Sequence, residues 1–347
     1  PAGDGPFPVL VFIHGGGFDS GANYDSAIDG AAYARRGIVF VSIHYRVSIF
    51  GYLTHPDILE KYGRDGNFGL DDQFTALQWI KANIADYKGD AHNITVMGQS
   101  AGAISIQYLS LSPKCQGLYQ RAIMLSGGGM FPKFALPRPS ENTHEYWEDL
   151  MNTAGVSTLD ELKVLDTKTI FTAIEELKSR RKDNTYNTMP VVDGYLISAP
   201  VDTLIDHPLP IDYMLGYTNN DMYAIIMGHI SHKYAKANHA YLYYFDIDAP
   251  GNDHNGAFHS SDLRYVFGTL NASHRPYDAE DARVSEAMIS YIASFAATGD
   301  PNTDHLPTWN PAGSHALHIK KPASAIAMGP TNWFKLLHNT LTKGDPK

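Results

Sequence analysis

Sulfur chemistry is almost absent from this 347-residue chain: Cys115 is its only cysteine, so no intramolecular disulfide can form. That scarcity fits a reducing cytoplasm, which is the compartment expected. Two Asn-x-Ser/Thr triplets, at Asn93 and Asn271, do not change the expectation, because such triplets arise often by chance and carry little weight without a signal segment. The chain opens at Pro1 without an initiator Met, so an upstream segment is expected to be missing, any signal peptide with it, and secretion stays open. No run of 18 apolar residues occurs, which leaves no membrane-spanning helix. Basic residues are in deficit, 27 Lys and Arg against 37 Asp and Glu. The formal charge of −10 would gain no counterion release from nucleic acid or an anionic bilayer, so small neutral substrates are the easier partners. Internal repeats and low-complexity tracts are also lacking.

What is present is hydrophobic content of 44%, enough to bury one large core, although composition alone does not choose between one large domain and two small ones. Short apolar runs rich in Val, Ile and Phe predict buried strands at Val9 to Ile13, Ile38 to Ile43, Ile94 to Met97, Ala122 to Leu125, Tyr213 to Leu215 and Tyr241 to Phe245. Helical patterns lie between and after them, at Leu70 to Ile84, Ala101 to Leu109, His144 to Ala154, Leu159 to Leu165, Ile170 to Lys178 and Asp281 to Thr298. Strands alternating with helices predict a mostly parallel central sheet covered on both faces, an α/β fold. The stretch 132–187 has helical patterns and little strand character, as expected of a helical cap insertion over one end of the sheet. The chain is read as one catalytic domain, 1–347, carrying that insertion.

After the predicted strand Ile94 to Met97 comes Gly98-Gln99-Ser100-Ala101-Gly102 and then a helix. Strand, sharp turn and helix are the setting of a nucleophile elbow, in which the serine backbone is strained and side chains at the flanking glycines would collide with neighbouring elements. Such a turn aims the Ser100 hydroxyl outward over the helix N-terminus, where the Ala101 N–H and the helix dipole favour a developing negative charge. The alternative is a glycine-rich helix cap with Ser100 as capping residue, and the pentapeptide alone does not decide. The first strand is followed by His14-Gly15-Gly16-Gly17-Phe18, where residues without side chains let successive N–H groups share one space. Neither a Lys-Ser/Thr continuation nor Gly-x-Gly-x-x-Gly spacing is present to make it a phosphate cradle. An oxyanion loop paired with an elbow serine favours an esterase.

Taken with several further segments, these motifs give the chain its resemblance to the type-B carboxylesterase/cholinesterase family of the α/β-hydrolase fold, over nearly the whole length. Those segments are Tyr45-Arg46 to Gly51, Gly66-Asn67-Phe68-Gly69-Leu70-Asp71-Asp72-Gln73, Asn93-Ile94-Thr95-Val96, Pro190-Val191-Val192-Asp193-Gly194 and Phe295-Ala296-Ala297-Thr298-Gly299-Asp300-Pro301-Asn302. The resemblance implies that Ser100 attacks a carboxylic ester and that backbone N–H groups of Gly16, Gly17 and Ala101 receive the oxyanion. Ser126 is similar to the family's buried serine near the acid of the triad, with a satisfied strand-end hydroxyl as the alternative. Asp72 and Asp193 also match family positions and are read as structural.

In α/β-hydrolases the triad runs Ser, then Asp/Glu, then His. Gly216-Tyr217-Thr218-Asn219-Asn220-Asp221 resembles the family's turn that carries the acid, which selects Asp221; spacing alone leaves Asp206 and Asp212 as rivals. Among 16 histidines, the segment Gly256-Ala257-Phe258-His259-Ser260-Ser261-Asp262-Leu263-Arg264-Tyr265-Val266-Phe267-Gly268 resembles the family's histidine motif and places the base at His259, not His254. His229, His232 and His239 lack a carboxylate or cysteine to complete a ligand set, so no metal is expected, and serine, imidazole and backbone dipoles call for no cofactor.

The chain departs from the family in two places. Asp221 and His259 stand only 38 positions apart, where the resemblance leads one to expect a long helical segment, and a stretch near 228–232 is read as the point of loss. Some of the family's N-terminal strands before the first glycine-rich loop are also expected to be missing. Smaller departures are Gln99, Lys88 and Met222, none of which removes a catalytic group. The expected function is hydrolysis of small-molecule esters. The alternatives are a catalytically inactive cholinesterase-like binding or adhesion protein and a degenerate fragment.

Overall fold

The computed structural model describes residues 1–128, 137–181, 188–221, 224–313 and 315–330. Its centre is an eight-stranded sheet built from β1 (Phe7–Ile13), β2 (Val39–Ile43), β3 (Gly89–Gln99), β4 (Arg121–Leu125), β7 (Asp212–Thr218), β8 (Tyr241–Phe245), β9 (His315–Ile319) and β10 (Ala327–Pro330). Two short strands, β5 (Arg138–Pro139) and β6 (Val191–Val192), pair separately. The order across the sheet is β10-β9-β8-β7-β4-β3-β1-β2, and every pairing is parallel except β9 with β10.

The helices are α1 (Ala31–Ala34), α2 (Ser48–Tyr52), α3 (Pro56–Tyr62), α4 (Phe68–Asn83), α5 (Ala101–Leu111) and α6 (Glu141–Thr153). They continue with α7 (Leu159–Lys163), α8 (Thr167–Arg180), α9 (Val201–Leu204), α10 (Ala224–Ala237), α11 (Leu263–Phe267) and α12 (Ala279–Thr298). All six strands and all six helices expected from the sequence are present. Among the described residues no helix is long and apolar enough to cross a membrane.

The period of two in a strand explains why this sheet needs cover on both sides. In β1, Val9, Val11 and Ile13 join a core with Leu70, Phe74, Leu77 and Ile80 of α4 and Ile106 and Leu109 of α5. The intervening Leu10 and Phe12 face the other way, into a core with Tyr33 of α1, Phe267 of α11 and Val284, Met288, Ile292 and Phe295 of α12. Every residue from Val9 to Ile13 is fully buried, which is why the segment reads as a continuous apolar run. Helix boundaries follow local chemistry: α12 starts at a reciprocal cap between Asp278 and Asp281 and ends at Gly299, whose φ of 86° suits a residue without a side chain.

Helices α6, α7 and α8 form a third apolar cluster that closes onto Ile49 of α2 and Ile58 of α3. They occupy the described part of the expected cap, whose residues 132–136 and 182–187 lie outside the described ones. One difference from the sequence reading is the strand β5 in that stretch, which pairs with β6 beyond it. Helix α10 runs unbroken from Ala224 to Ala237 through the stretch read as the point of loss.

The topology places the site. The chain passes from β1 to its neighbour β2 on one side and later to β3 on the other, so the loops after β1 and β3 diverge and leave a crevice at the carboxyl ends of the two strands. The glycine-rich loop follows β1, and Ser100 follows β3.

Candidate active site

Ser100 stands between the end of β3 and the start of α5 with φ 55° and ψ −124°, a conformation that a residue with a side chain keeps only when its surroundings impose it. Its N–H donates to the Leu125 carbonyl at 2.9 Å, and its carbonyl accepts from the Ile104 N–H at 2.9 Å. The flanking glycines are required by close approach. A Cβ on Gly98 would lie 2.6 Å from the Gly102 backbone, and one on Gly102 would lie 2.1 Å from the Ile13 carbonyl oxygen. Strand β3, helix α5 and the end of β1 therefore meet at backbone contact, which fixes the serine.

Asp221 and His259 are brought together by backbone pairing. After β7 the Asn219 N–H donates to the Phe245 carbonyl at 2.9 Å, and the Asn220 N–H donates to the Ala257 carbonyl at 2.8 Å. A parallel bridge between Asn220 and Phe258 ties the acid turn to the histidine loop. The His259 ring then lies with Nδ1 at 2.8 and 2.9 Å from the two Asp221 oxygens and Nε2 at 2.9 Å from Ser100 Oγ. These partners fix the tautomer: Nδ1–H donates to the carboxylate, leaving Nε2 to accept from the serine hydroxyl. The Asp221 side chain is buried, and the Thr218 hydroxyl donates to it at 3.3 Å.

Burial favours the neutral His259 ring, but the Asp221 hydrogen bond and charge, with the Asp262 charge behind them, outweigh it and hold the imidazole above its ordinary value. Asp262 is fully buried and accepts from the Tyr243 hydroxyl at 2.6 Å. Burial pushes its carboxyl up to about 6; the Tyr243 bond opposes this and the Asp221 charge adds to it. A carboxyl raised on folding holds its proton more tightly in the folded chain than in the unfolded one. Its contribution to stability is full below the unfolded value and is lost as the pH rises through about 6.

The loop after β1 lies against the serine: a Cβ on Gly15 would come within 3.0 Å of Ser100 Cβ. Gly16 and Gly17 have φ of 115° and 65°, and a Cβ on Gly17 would meet nothing within 4 Å, so the loop faces open space there. Ala101 is the first residue of α5, and its N–H belongs to the first helical turn, where no intrahelical acceptor exists. Ala101 packs with Phe18 and Tyr52 in a small buried cluster, the two rings 5.2 Å apart and edge to face, which pins the loop to the helix. A cavity of about 440 Å³ opens alongside, lined among others by Gly15, Gly16, Gln99, Phe258 and Ser260.

The remaining sequence candidates fall as follows. Ser126 is buried at the end of β4 with φ 49°, and its hydroxyl has no partner among the described residues. Asp72 accepts two bonds of 2.8 Å from the Arg46 guanidinium, and Asp193 accepts from the N–H groups of Tyr195 and Ile197, so both hold local structure. The rivals for the acid lie elsewhere, Asp206 exposed and Asp212 exposed at the start of β7 beside Arg121. His254 is exposed. Burial pushes the Cys115 thiol up to about 12, which leaves it inert as a nucleophile. Met222 lies outside the described residues.

Three residues without a role in the sequence analysis stand beside His259 or at the root of the glycine-rich loop. Gln99 Nε2 is 3.3 Å from His259 Nε2 and 2.8 Å from Ser260 Oγ. Asp262 was legible only as part of the histidine motif. His14, buried and stacked on Tyr45 at 4.3 Å, holds the root of the glycine-rich loop, and burial lowers it toward the neutral ring.

This arrangement has close relatives. The carboxylesterase family matches residues 1–234 and 226–328. Bile salt-activated lipase of Rattus norvegicus is 30% identical over 420 residues, covering 92% of this chain and 67% of the lipase. Para-nitrobenzyl esterase of Bacillus subtilis is 29% identical over 353 residues, covering 86% of this chain and 72% of the esterase. Among solved structures, a Geobacillus stearothermophilus carboxylesterase superposes with a TM-score of 0.80 at 26% identity, covering 97% of this chain and 83% of that one. With its α/β-hydrolase fold and this run of family matches, the chain belongs to the carboxylesterase family.

Proposed function

We propose that this chain hydrolyses small-molecule carboxylic esters through a Ser100–His259–Asp221 triad and an acyl-enzyme intermediate. The observation that carries the reading is the unbroken hydrogen-bonded line from Asp221 through both nitrogens of His259 to Ser100 Oγ, at 2.8 and 2.9 Å. As Ser100 Oγ attacks the ester carbonyl, its proton passes to His259 Nε2, and Asp221 steadies the imidazolium that forms. The carbonyl oxygen, now negative, is received by the N–H groups of Gly16, Gly17 and Ala101. Each preorganised donor of this kind contributes roughly 3–4 kcal/mol to the transition state. The tetrahedral adduct then collapses, the C–O bond to the alcohol breaks, and the alcohol leaves with the proton from Nε2. Water, deprotonated by the same nitrogen, attacks the acyl-serine and releases the acid.

The short passage from Asp221 to His259 belongs to this reading. The two family matches overlap within 226–234, and the alignment to the rat lipase spans 420 positions against 347 residues here. The overlap supports a segment shortened at that point and bridged by α10; the extra alignment positions mark a longer relative without placing the difference. The triad residues lie outside it, so the compression bears on the walls of the substrate site and not on its chemistry.

The test is a rapid-mixing assay with an activated aryl ester, whose acylation outruns deacylation. A burst of about one equivalent of phenol per chain, followed by slower turnover, is the expected result. Linear release from the first turnover, at every ester tried, would count against an acyl-enzyme.

A further inference from the structure

The residue before Ser100 bonds at His259 and is left unused by the mechanism above. Gln99 is 3% exposed at the end of β3, and its amide nitrogen donates to Ser260 Oγ at 2.8 Å. Ser260 follows the histidine and has φ 71°, a conformation that few residues other than glycine adopt. The anchored amide nitrogen lies 3.3 Å from His259 Nε2, on the nitrogen that must accept the proton of Ser100. An N–H offered to a ring nitrogen is favourable only while that nitrogen carries a lone pair. Once Nε2 is protonated, two donors face each other across the same gap.

We propose that Gln99 is a positioning residue whose carboxamide, anchored on Ser260, favours the unprotonated His259 imidazole and keeps the resting enzyme active into mildly acidic solution. The inference rests on the triad reading above. Among the described residues the charged and titratable groups around the ring are otherwise acidic or engaged elsewhere. Asp221 on the turn after β7 and Asp262 at the start of α11 both draw a proton onto the ring. Arg264 and Arg275 line the cavity beyond Ser260, each engaged by carbonyl oxygens and Arg275 also by Asp253. His14 at the root of the oxyanion loop is held toward its neutral form by burial. The Gln99 amide nitrogen bonds at Nε2 beside the Ser100 hydroxyl; that hydroxyl can turn to accept from a protonated ring, whereas an amide nitrogen only donates, so Gln99 favours the neutral ring against the pull of Asp221 and Asp262. A carboxylate of the same length there would join Asp221 and Asp262 in stabilising the imidazolium.

The test is the acid limb of kcat/KM for 4-nitrophenyl acetate in the wild type, Gln99→Glu and Gln99→Met, with Ser100→Ala alongside. Gln99→Glu is expected to move the limb up by about 1–3 pH units, the effect of an opposite charge within a few ångströms. Gln99→Met, which removes the donor without adding charge, is expected to move it up by about half a unit to one unit. A residue that merely fills space would lower activity without displacing the limb. Limbs that coincide with the wild type, or move down, overturn the proposal. Should Gln99→Glu fail to fold, the direction of the Gln99→Met limb decides alone. Hydrolysis surviving in Ser100→Ala would instead mark failure of the triad reading, a different outcome from an unmoved limb over an inactive Ser100→Ala.

Discussion

Ser100→Ala is expected to lower kcat for ester hydrolysis by about 10⁵- to 10⁶-fold while shifting the melting temperature by no more than about 2–4 °C. Both halves follow from the same geometry. Among the described residues the hydroxyl makes one side-chain hydrogen bond, to His259 Nε2, and the strained backbone is held by the Leu125 and Ile104 bonds, which alanine keeps. The structural cost is thus at most that of a single hydrogen bond, about 1 kcal/mol. The chemical cost is the whole covalent route, because water is then left to attack a bound ester with only the oxyanion donors in place. A steady-state assay paired with a thermal melt separates the two. Activity within tenfold of the wild type would remove Ser100 from the mechanism, and a collapse in melting temperature would assign it a structural part.

Asp221→Asn is expected to lower kcat at neutral pH by about 10⁴-fold with little change in KM. Both carboxylate oxygens lie within 2.9 Å of His259 Nδ1, so an asparagine placed there sets its NH₂ at the same nitrogen. A donor at Nδ1 favours the tautomer with its proton on Nε2, and that ring faces Ser100 with a donor where an acceptor is needed. The loss is therefore one of proton placement and not of position. His259 also loses the charge that raises it, so the acid limb of whatever activity remains should lie lower than in the wild type. Kinetics across pH check both statements; a loss of tenfold or less would mean that the carboxylate does not set the tautomer.

These two residues were not equally legible. The elbow serine was visible because glycines on both sides are a backbone requirement: the contacts of Gly98 with Gly102, and of Gly102 with Ile13, leave no room for a side chain. Asp221 was visible only through family resemblance, since an Asn-Asn-Asp turn looks like any solvated loop. What separates it from Asp206 and Asp212 is the pairing of Asn220 with Phe258, a contact across 38 residues that local chemistry does not encode. Strands buried on both faces, such as β1, were read as unbroken apolar runs. Strand β9 was not, because histidines stand in His315-Ala316-Leu317-His318-Ile319 and dilute the signal. Helix α10 crosses the stretch read as the point of loss, a reading that came from the short step between Asp221 and His259 and not from local helical propensity. The roles of Gln99 and Asp262 came last, since both depend on which buried groups meet at the imidazole.

The most direct measurement of the central claim is the site of covalent capture by a fluorophosphonate. Peptide mapping of the labelled, folded chain should place one phosphonyl group per chain on the peptide carrying Ser100, and Ser100→Ala should carry none. A label elsewhere, or a cooperatively folded wild type that takes up no probe, would contradict the account.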